Sequence, residues 1–203
     1  PFYVGRRIQG IRVKEAPSWL RKRLLHCGVN AVNNIVDVTN YCMIKWGHPL
    51  HAFDEDKIQG DVFIRRARKN EMFVGIDRKE RILSQENLVI ADEKKVIALA
   101  GVMGAHNTEV DGSTRNVFLE AAIFSPLAVR RSRRNVGLDT ESSYRFERKV
   151  FGDHLLYVSQ EATFLIEELA GGRYTGYRQA GQKPVYKKRK ILLEWSSLNS
   201  YLG

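Results

Sequence analysis

Residues 62–123 read VFIRRARKNEMFVGIDRKERILSQENLVIADEKKVIALAGVMGAHNTEVDGSTRNVFLEAAI and carry the clearest structural pattern of the chain. Six short runs within them are rich in β-branched and apolar residues: VFIRRA (62–67), EMFVGI (71–76), RILSQ (81–85), NLVIAD (87–92), VIALAG (96–101) and NVFLEAAI (116–123). Glycine, asparagine, aspartate and lysine separate these runs, as turn residues separate strands. The stretch therefore predicts a series of short strands joined by turns.

Helical patterns flank this stretch on both sides. Apolar residues at helical spacing predict helices over residues 17–27, 33–45, 126–136 and 153–170, and an alternating pattern predicts a first strand within residues 1–13. Ser125 and Pro126 are typical of a helix start, and Gly137 is typical of a helix end. Helices, then strands, then helices predict an α+β fold, with mixed helices around short-stranded, largely antiparallel β-sheets in one compact domain.

The domain boundary is predicted from a change in composition. GQKPVYKKRK (181–190) is a basic connector that contains a proline, and the amphipathic segment KILLEWSSLNSYLG follows it. We therefore expect one domain over residues 1–182, with residues 183–203 forming a basic linker and the beginning of a next module. The chain begins without Met, which predicts a fragment of a longer protein.

Charge and composition indicate the kind of partner. The net charge of +10 and the pI near 9.7 favour an anionic partner, nucleic acid first and a lipid surface second. There is no apolar run of about 18 residues and no signal-peptide pattern, so we expect no membrane segment. Cys27 and Cys42 lack metal or redox spacing, which predicts buried free thiols and a reducing cytoplasm.

The most basic segment is residues 130–149, RRSRRNVGLDTESSYRFERK, which hold seven basic and three acidic residues around a group of hydroxyls. A charge run of this kind is by itself typical of a solvated, salt-bridged helix face. The same residues also suit a polyanion. Four of them are the candidate contacts to nucleic acid: Arg130, Arg131, Arg133 and Arg134.

GHPLHAFD (47–54) places His48 and His51 three residues apart. On a helix that spacing could bind a metal, but Pro49 interrupts it and no further ligands follow at the usual spacing. We therefore predict no metal site. His51 is expected to orient a substrate or a backbone group, whereas His48 is expected to be a loop residue.

Two further features stand out in the strand-rich stretch. LAGVMG (99–104) puts Gly101 and Gly104 directly after a strand, where backbone N–H groups can approach a ligand, although the run is too short for a dinucleotide or phosphate loop. Glu120 interrupts an apolar strand, and a buried carboxylate is unfavourable by several kcal/mol unless it is paired. It either pairs with an arginine or accepts a hydrogen bond from a ligand.

Four motifs together resemble a known family. In order and approximate spacing, the central part of the bacterial phenylalanyl-tRNA synthetase beta subunit is similar to NNIVDVTNYCMIKWGHPLHAFD (33–54), VIALAGVMG (96–104), NVFLEAAIFSP (116–126) and RRSRRNVGLDTESSYRFER (130–148). The resemblance implies an editing domain of α+β fold. Its implied activity is the hydrolysis, by water, of tyrosine wrongly esterified to the phenylalanine tRNA.

The resemblance also implies roles for individual residues. Glu120 accepts the hydrogen bond of the tyrosine hydroxyl, and His51 and Thr140 lie near the ester as the catalytic pair. The implied pocket residues are Thr39, Asn40, Gly101 and Ser142. The sequence contains no GxSxG motif and no recognisable Cys–His arrangement, which agrees with direct attack by water.

The implied partners are tRNA(Phe), the synthetase alpha subunit and the remaining beta-subunit domains, in a heterotetramer of two alpha and two beta subunits. No cofactor is implied within this chain, because ATP and Mg²⁺ act elsewhere in the full synthetase. An apolar synthetic pocket cannot strongly reject the added hydroxyl of tyrosine, whereas a second pocket with a carboxylate would favour tyrosine over phenylalanine.

The chain departs from the family pattern at two positions and in one loop, where AHNTEV (105–110) replaces a more glycine- and acid-rich segment. Ser142 stands where a small alanine is expected, and Lys149 stands where a glycine is expected. The alternative function is therefore a non-catalytic module for tRNA docking and subunit packing, in which editing is lost or weak.

Overall fold

The first strand leads into two helices, a long series of antiparallel strands follows, and three helices, a last strand and a final helix complete the order, as the computed structural model shows for residues 1–185 and 190–203. The strands are β1 (Phe2–Gln9), β2 (Leu50–Asp54), β3 (Phe63–Arg66), β4 (Glu71–Val74), β5 (Glu80–Leu83), β6 (Leu88–Ala91), β7 (Val96–Leu99), β8 (Met103–Gly104), β9 (Asn116–Ile123) and β10 (Arg173–Gly181). The helices are α1 (Ser18–His26), α2 (Asn34–Trp46), α3 (Pro126–Val136), α4 (Glu141–Glu147), α5 (Leu155–Ala170) and α6 (Trp195–Leu202). The predicted α+β class is confirmed.

The first sheet has the strand order β10–β1–β9–β2, and all its pairings are antiparallel. β9 is central and apolar on both faces because each face is covered by another layer. Since side chains alternate along a strand, Val117 and Leu119 pack with the helices, whereas Phe118 and Ala122 pack with the second sheet. Glu120 shares the face of Phe118 and Ala122, so it is directed into the space between the two sheets.

The second sheet has the order β3–β6–β7–β8, and the hairpin β4–β5 lies beside it. Ile90, Ile97 and Leu99 of this sheet form one core with Phe53 of β2 and Phe73 of β4. The turn between β7 and β8 carries Gly101. The second sheet therefore covers one face of the first and presents a glycine turn next to it.

Helices α1, α2 and α5 cover the other face of the first sheet, with α2 packed against α5. The side chain of Asn33 begins α2 by accepting hydrogen bonds from the N–H groups of Ile35 and Val36. Gly47 ends the helix in the left-handed conformation, with φ of 66°. The two caps fix where the helix begins and ends. The cap at Gly47 also determines where β2 begins.

Helices α3 and α4 follow β9 and pack against each other. As predicted, α3 begins at Pro126 and ends before Gly137, which has a φ of 64°. The Ser132 hydroxyl accepts a hydrogen bond of 2.9 Å from the Leu88 N–H, which ties α3 to the second sheet. This contact places the start of α4 near the β7–β8 turn.

Three strands were not predicted: β2, β10 and the two-residue β8 (Met103–Gly104). β2 has only five residues, follows a proline and contains His51 and Asp54, so it lacks the apolar character of the other strands. β10 is polar and largely exposed, because it pairs with β1 on one side only. The first strand also ends earlier than predicted, at Gln9, since Gly10 turns the chain with a φ of 74°. Strands β2 and β10 form because they pair with distant residues.

One prediction about the thiols was wrong. Cys42 is buried, as expected, but Cys27 is exposed because it caps the C-terminal end of α1 at the surface. Across residues 1–185 and 190–203, none of the helices has both the length and the apolar character needed to cross a membrane.

The C-terminal segment buries very little. Helix α6 has no buried residue, and Ile191, Leu192 and Tyr201 are almost fully exposed. Within the predicted basic connector, residues 186–189 lie outside the part of the chain that the structure describes. The boundary between residues 182 and 183 stays a prediction.

Lys149 adopts the left-handed backbone conformation, with φ of 72°, at the position where the family pattern has glycine. This conformation is unfavourable by about 1–2 kcal/mol for a residue with a Cβ atom. We therefore expect Lys149→Gly to raise the free energy of unfolding by about 1 kcal/mol, measured by urea denaturation. Lys94 is exposed and has no positive φ, so Lys94→Gly is the matched control and should destabilise the chain. Equal destabilisation by both changes would contradict the prediction.

Candidate functional site

A cavity of about 440 Å³ lies where α2, β2 and β9 meet the β7–β8 turn and the start of α4. All the predicted catalytic and pocket residues line it, although they come from four separate stretches of the chain: Thr39, Asn40, His51, Gly101, Glu120, Thr140 and Ser142. Its size lies within the usual range for small-molecule sites. The structure thus brings these residues together, while their individual roles stay predictions.

Glu120 is the ionisable group at the centre of the site. It lies in the middle of β9, opposite Gly5 of β1 and His51 of β2, and only 6% of its surface is exposed. Burial raises its pKa to about 8, and a 3.4 Å hydrogen bond from the Tyr3 hydroxyl to Oε2 offsets only part of that effect. In the part of the chain that the structure describes, no arginine or lysine pairs with Glu120. The predicted arginine pairing is therefore not found there.

The imidazole of His51 faces the same cavity. It packs edge-on against Phe53, with 4.5 Å between ring centroids, and its Cε1–Nε2 edge lies close to Gly104. A Cβ atom at Gly104 would lie 2.4 Å from Cε1 and Nε2 of His51. Burial lowers the pKa of His51 to about 4, so the ring is neutral at physiological pH. A neutral ring offers both a donor and an acceptor nitrogen to a ligand or a water molecule.

Thr39 and Asn40 present the α2 side of the cavity. The Thr39 hydroxyl donates to the Val36 carbonyl of its own helix at 2.7 Å, which leaves the methyl group as its free surface. Asn40 is half-buried, and its side-chain amide has no hydrogen-bond partner among residues 1–185 and 190–203. Asn40 is thus the polar group on this wall that is available to a ligand.

Gly101 forms the turn on the opposite wall. It has a φ of 69°, and a Cβ atom there would lie 3.0 Å from both Phe146 and Val129. Glycine is therefore required both by the backbone conformation and by the close packing behind the turn. Within the described residues the Gly101 N–H donates no hydrogen bond, so it too is available to a ligand.

Thr140 and Ser142 attach the start of α4 to this glycine turn. Thr140 caps the helix: its Oγ1 accepts from the Ser143 N–H at 3.1 Å and donates to the Val102 carbonyl at 2.9 Å. The Ser142 hydroxyl donates to the Gly101 carbonyl at 3.1 Å. Both hydroxyl protons are therefore already used. Thr140 can donate to a ligand only by giving up the bond to Val102.

The four arginines predicted to contact nucleic acid lie on α3, outside the cavity. Arg133 is bound to Glu147 at 2.8 Å and also pairs with Asp139, so it belongs to a salt-bridged helix face of the kind that a charge run alone predicts. Arg131 lies 3.5 Å from Glu86, and both side chains are more than half exposed. The other two, Arg130 and Arg134, are exposed. Their role in binding nucleic acid stays a prediction.

His48 does not share a site with His51. It is buried, its Nε2 lies 3.1 Å from the Ala122 carbonyl, and its ring packs against Phe146. His48 is therefore a structural residue that joins the end of α2 to β9. Within the described ranges of the chain, no three His, Cys, Asp or Glu side chains are grouped so that they could hold a metal ion.

Tyr3 was not singled out from the sequence, and Gly104 was noted without its contact to His51. Tyr3 donates to Glu120 from β1, and Gly104 leaves room for the Cε1–Nε2 edge of His51. The sequence predicted β1 as a strand, so that Tyr3 and Gly5 share one face. The register that pairs β1 with β9 could not be predicted from it. The second glycine of LAGVMG was noted, whereas its contact with a residue more than fifty positions earlier needed the fold.

The fold and the site define a class that a family model identifies. The model described as the B3/4 domain matches residues 1–171, which include the second sheet, strands β1, β9 and β2 of the first sheet, helices α1 to α5 and every residue of the cavity. The chain is thus an α+β domain of the B3/4 class.

Curated relatives identify the particular family. The chain is 42% identical to the phenylalanine–tRNA ligase beta subunit of Fusobacterium nucleatum, over 99% of this chain and 25% of that protein. It is 43% identical to that of Geobacter metallireducens, over 100% of this chain and 26% of that protein, and 39% identical to that of Aquifex aeolicus, over 99% and 26%. The chain belongs to the phenylalanine–tRNA ligase beta-subunit family, as its motifs predicted, and it spans about a quarter of the length of these relatives.

One solved structure is also similar to this chain. It is an N-terminal fragment of the phenylalanyl-tRNA synthetase beta subunit from Pyrococcus horikoshii, with a TM-score of 0.46 and 17% sequence identity. The match covers 70% of this chain and 45% of that fragment.

Proposed function

We propose that the cavity binds tyrosine wrongly esterified to tRNA(Phe) and hydrolyses the ester bond. The observation that carries the proposal is Glu120: a buried carboxyl without a cation partner in the described structure, lining a cavity of about 440 Å³. A lone buried carboxyl is unfavourable unless a donor group reaches it. The phenol hydroxyl of tyrosine is such a donor, and phenylalanine has none.

The selectivity follows from this one hydrogen bond. Once Glu120 is ionised, a hydrogen bond to its carboxylate contributes about 1.5–3 kcal/mol, which corresponds to roughly a 10- to 150-fold preference for tyrosine. The preference depends on pH, because the carboxylate is a stronger acceptor than the carboxyl and the pKa of Glu120 is about 8. We expect the ratio of tyrosyl- to phenylalanyl-ester hydrolysis to increase as the pH rises towards 8.

The hydrolysis itself uses water held against an ester that is already activated. His51 is neutral and faces the cavity, but a pKa of about 4 makes it a weak base, so its role is to orient the water molecule. The Gly101 N–H and the Asn40 amide are free to hold the aminoacyl group. Thr140 and Ser142 shape the wall through their bonds to the turn, and the terminal ribose hydroxyl of the tRNA is a further candidate for holding the water.

The same proposal covers the wider assembly. The exposed Arg130 and Arg134 offer charge for tRNA phosphates, whose contacts give salt-dependent affinity. The alpha subunit and the other beta-subunit domains complete a cytoplasmic synthetase of two alpha and two beta subunits. ATP and Mg²⁺ are used elsewhere in that assembly, and this chain supplies the editing step.

The test measures hydrolysis of tyrosyl- and phenylalanyl-tRNA(Phe) by the full-length protein that contains this chain. We expect hydrolysis that favours tyrosine, and we expect Glu120→Ala to reduce the preference by roughly 10-fold or more. Glu80→Ala removes an exposed carboxylate of β5 outside the cavity and serves as the matched control.

Two outcomes would contradict the proposal. If Glu120→Ala kept the full preference for tyrosine, another group would carry the selectivity. If both esters lasted as long as they do in buffer, the chain would act as a docking and packing module. Ser142→Ala then shows whether the extra hydroxyl is the reason, since that change restores the alanine expected at this position.

A further inference from the structure

Tyr3 reaches the site from the first strand of the chain. It pairs with Ala122 in the register of β1 and β9, so it lies diagonally next to Glu120 on the same face of the sheet. Its hydroxyl donates to Oε2 of Glu120 at 3.4 Å, and only 6% of the surface of each residue is exposed. Glu120 thus already holds one phenol before any ligand enters.

The two residues line different cavities. Glu120 lines the 440 Å³ cavity, whereas Tyr3 lines a neighbouring groove of about 790 Å³ together with Gly5 and Phe118. Tyr3 therefore approaches the carboxyl group from the side away from the candidate site. The second oxygen, Oε1, has no hydrogen-bond partner within residues 1–185 and 190–203, and it is left for a ligand.

Packing fixes the Tyr3 ring in this position. The ring of Phe118 stacks on it, with centroids 6.5 Å apart and planes 23° from parallel, and Phe53 contacts Phe118 on its other side. Phe118 occupies the space above Gly5, where a Cβ atom would lie only 2.1 Å from the ring. The glycine thus leaves room for the Phe118 ring to lie between Phe53 and Tyr3 and to hold the phenol in place.

We propose that Tyr3 is a positioning residue that sets the tyrosine selectivity of the cavity by holding Oε2 of Glu120 and leaving Oε1 for the hydroxyl of the ligand. The inference rests on the proposed function. A carboxyl group held at one oxygen has a fixed plane, so less rotational freedom is lost when a second donor binds. Burial, and after it the charge of Glu120, raises the pKa of Tyr3 well above 10, so the phenol remains a donor at all physiological pH values.

Other titratable groups face the carboxyl group without replacing Tyr3. His51 lies directly opposite on β2 and is neutral, and Gly5 opposite on β1 has no side chain. The second sheet contributes the apolar residues Ile90 and Ala98 to the same cavity. The remaining carboxylates of the cavity lining are Glu109 and Glu141, and each is paired with an arginine.

The test is Tyr3→Phe in the full-length protein, which removes one oxygen atom and keeps the stacked ring. The ratio of tyrosyl- to phenylalanyl-tRNA(Phe) hydrolysis is measured across pH. We expect the ratio at neutral pH to fall roughly 5-fold and the midpoint of its pH dependence to move up by about 0.7 pH unit, because the carboxylate loses a donor. A change that only loosened the fold would lower both hydrolysis rates and leave the midpoint in place.

Two controls isolate the contact. Tyr177→Phe removes an exposed phenol of β10 that lines the same groove and does not touch Glu120, so it should leave the ratio and the midpoint unchanged. In a Glu120→Ala background, Tyr3→Phe should have no further effect on the ratio, since the two residues act through one contact. A further loss in that background would overturn the proposal.

A second measurement separates this inference from the proposed function. Difference infrared spectra between the wild type and Glu120→Gln follow the protonated carboxyl band of Glu120 across pH, without any hydrolysis. If the wild type is selective but Tyr3→Phe changes neither the ratio nor the carboxyl titration, the inference fails and the proposed function stands. If the wild type shows no selectivity at any pH, the proposed function fails. If, in addition, the pH midpoint of the Glu120 carboxyl band is the same in Tyr3→Phe as in the wild type, the Tyr3 contact is overturned as well.

Discussion

Glu120→Gln is expected to stabilise the chain, by an amount that grows as the pH rises from 4.5 to about 8. Below pH 4.5 the carboxyl is protonated in both the folded and the unfolded chain, so the two proteins should have similar free energies of unfolding. Above that pH the unfolded chain releases the proton, whereas the folded chain holds it until the pH reaches about 8. The wild type therefore loses stability throughout this interval, and glutamine, which does not titrate, loses none.

The size of the effect follows from the two pKa values. Each pKa unit corresponds to about 1.4 kcal/mol, so a change from 4.5 to about 8 gives roughly 5 kcal/mol once both states are ionised. Glutamine keeps the shape of the side chain and can still accept the Tyr3 hydrogen bond. Few single substitutions have an effect of this size. It is a large fraction of the free energy of unfolding of a whole domain, which is only about 5–15 kcal/mol.

Urea denaturation of residues 1–203 at about pH 5, 7 and 9 measures this difference. Glu80→Gln is the matched control, since it neutralises an exposed carboxylate of β5 and should shift stability by less than about 0.5 kcal/mol at every pH. A difference between wild type and Glu120→Gln that stayed constant with pH would contradict the prediction. It would mean that a donor or a cation keeps Glu120 ionised in the folded chain.

This loss of stability is itself an argument about function. A buried carboxyl in a central strand could be replaced by an apolar residue with a gain in stability, and nothing in the packing of β9 requires an acid at position 120. Proteins keep such unfavourable groups at sites where activity needs them. Glu120 is thus better explained by what the cavity binds than by what holds the sheet together.

Three residues of the site could be predicted from local pattern breaks, whereas Thr39, Asn40, Thr140 and Ser142 were implied only by the family resemblance. Glu120 stands out as an acid within an apolar strand, and Gly101 stands out as a glycine directly after one. His51 stands out only as a histidine near a proline. In each case the residue type conflicts with its neighbours, and such conflicts are visible in a sequence without any fold.

The remainder depended on contacts between distant residues. Tyr3 is 117 positions from Glu120, and the short strand β2 exists only because β9 pairs with it. Thr140 illustrates the same limit: the family resemblance pointed to it, but neither the helix α4 that it caps nor its bond to the Val102 carbonyl, 38 positions away, was predicted. Pairing register and side-chain direction depend on tertiary packing, and they cannot be predicted from the local sequence pattern.

Gly104→Ala is expected to reduce tyrosyl-ester hydrolysis by about 100-fold. The new Cβ atom would lie 2.4 Å from the His51 ring, which is too close for any unbonded contact, so the ring must move. Phe53 packs against its edge at 4.5 Å and limits where the ring can go. A displacement of about 1 Å in a group that orients the attacking water is enough to lower a rate by two orders of magnitude.

The matched control is Gly112→Ala. Gly112 is exposed and does not line the cavity, and a Cβ atom at this position would have no other atom within 4 Å, so the change should leave hydrolysis intact. Stability is measured in parallel by thermal unfolding, because overpacking at Gly104 is expected to lower the free energy of unfolding by about 1–3 kcal/mol. Loss of activity in a chain that remains folded separates the two effects.

The double variant decides whether the loss passes through His51. If Gly104→Ala acts only by moving the imidazole, then adding it to His51→Ala removes nothing more, because the clash partner is gone. His51→Ala, Gly104→Ala should therefore hydrolyse the ester at the rate of His51→Ala alone. Full activity in Gly104→Ala would exclude His51 from orienting the water, since the ring cannot keep its present position above an alanine. The glycine at position 104 then would serve the turn alone, and the water would be held by the Gly101 N–H, Asn40 and the tRNA.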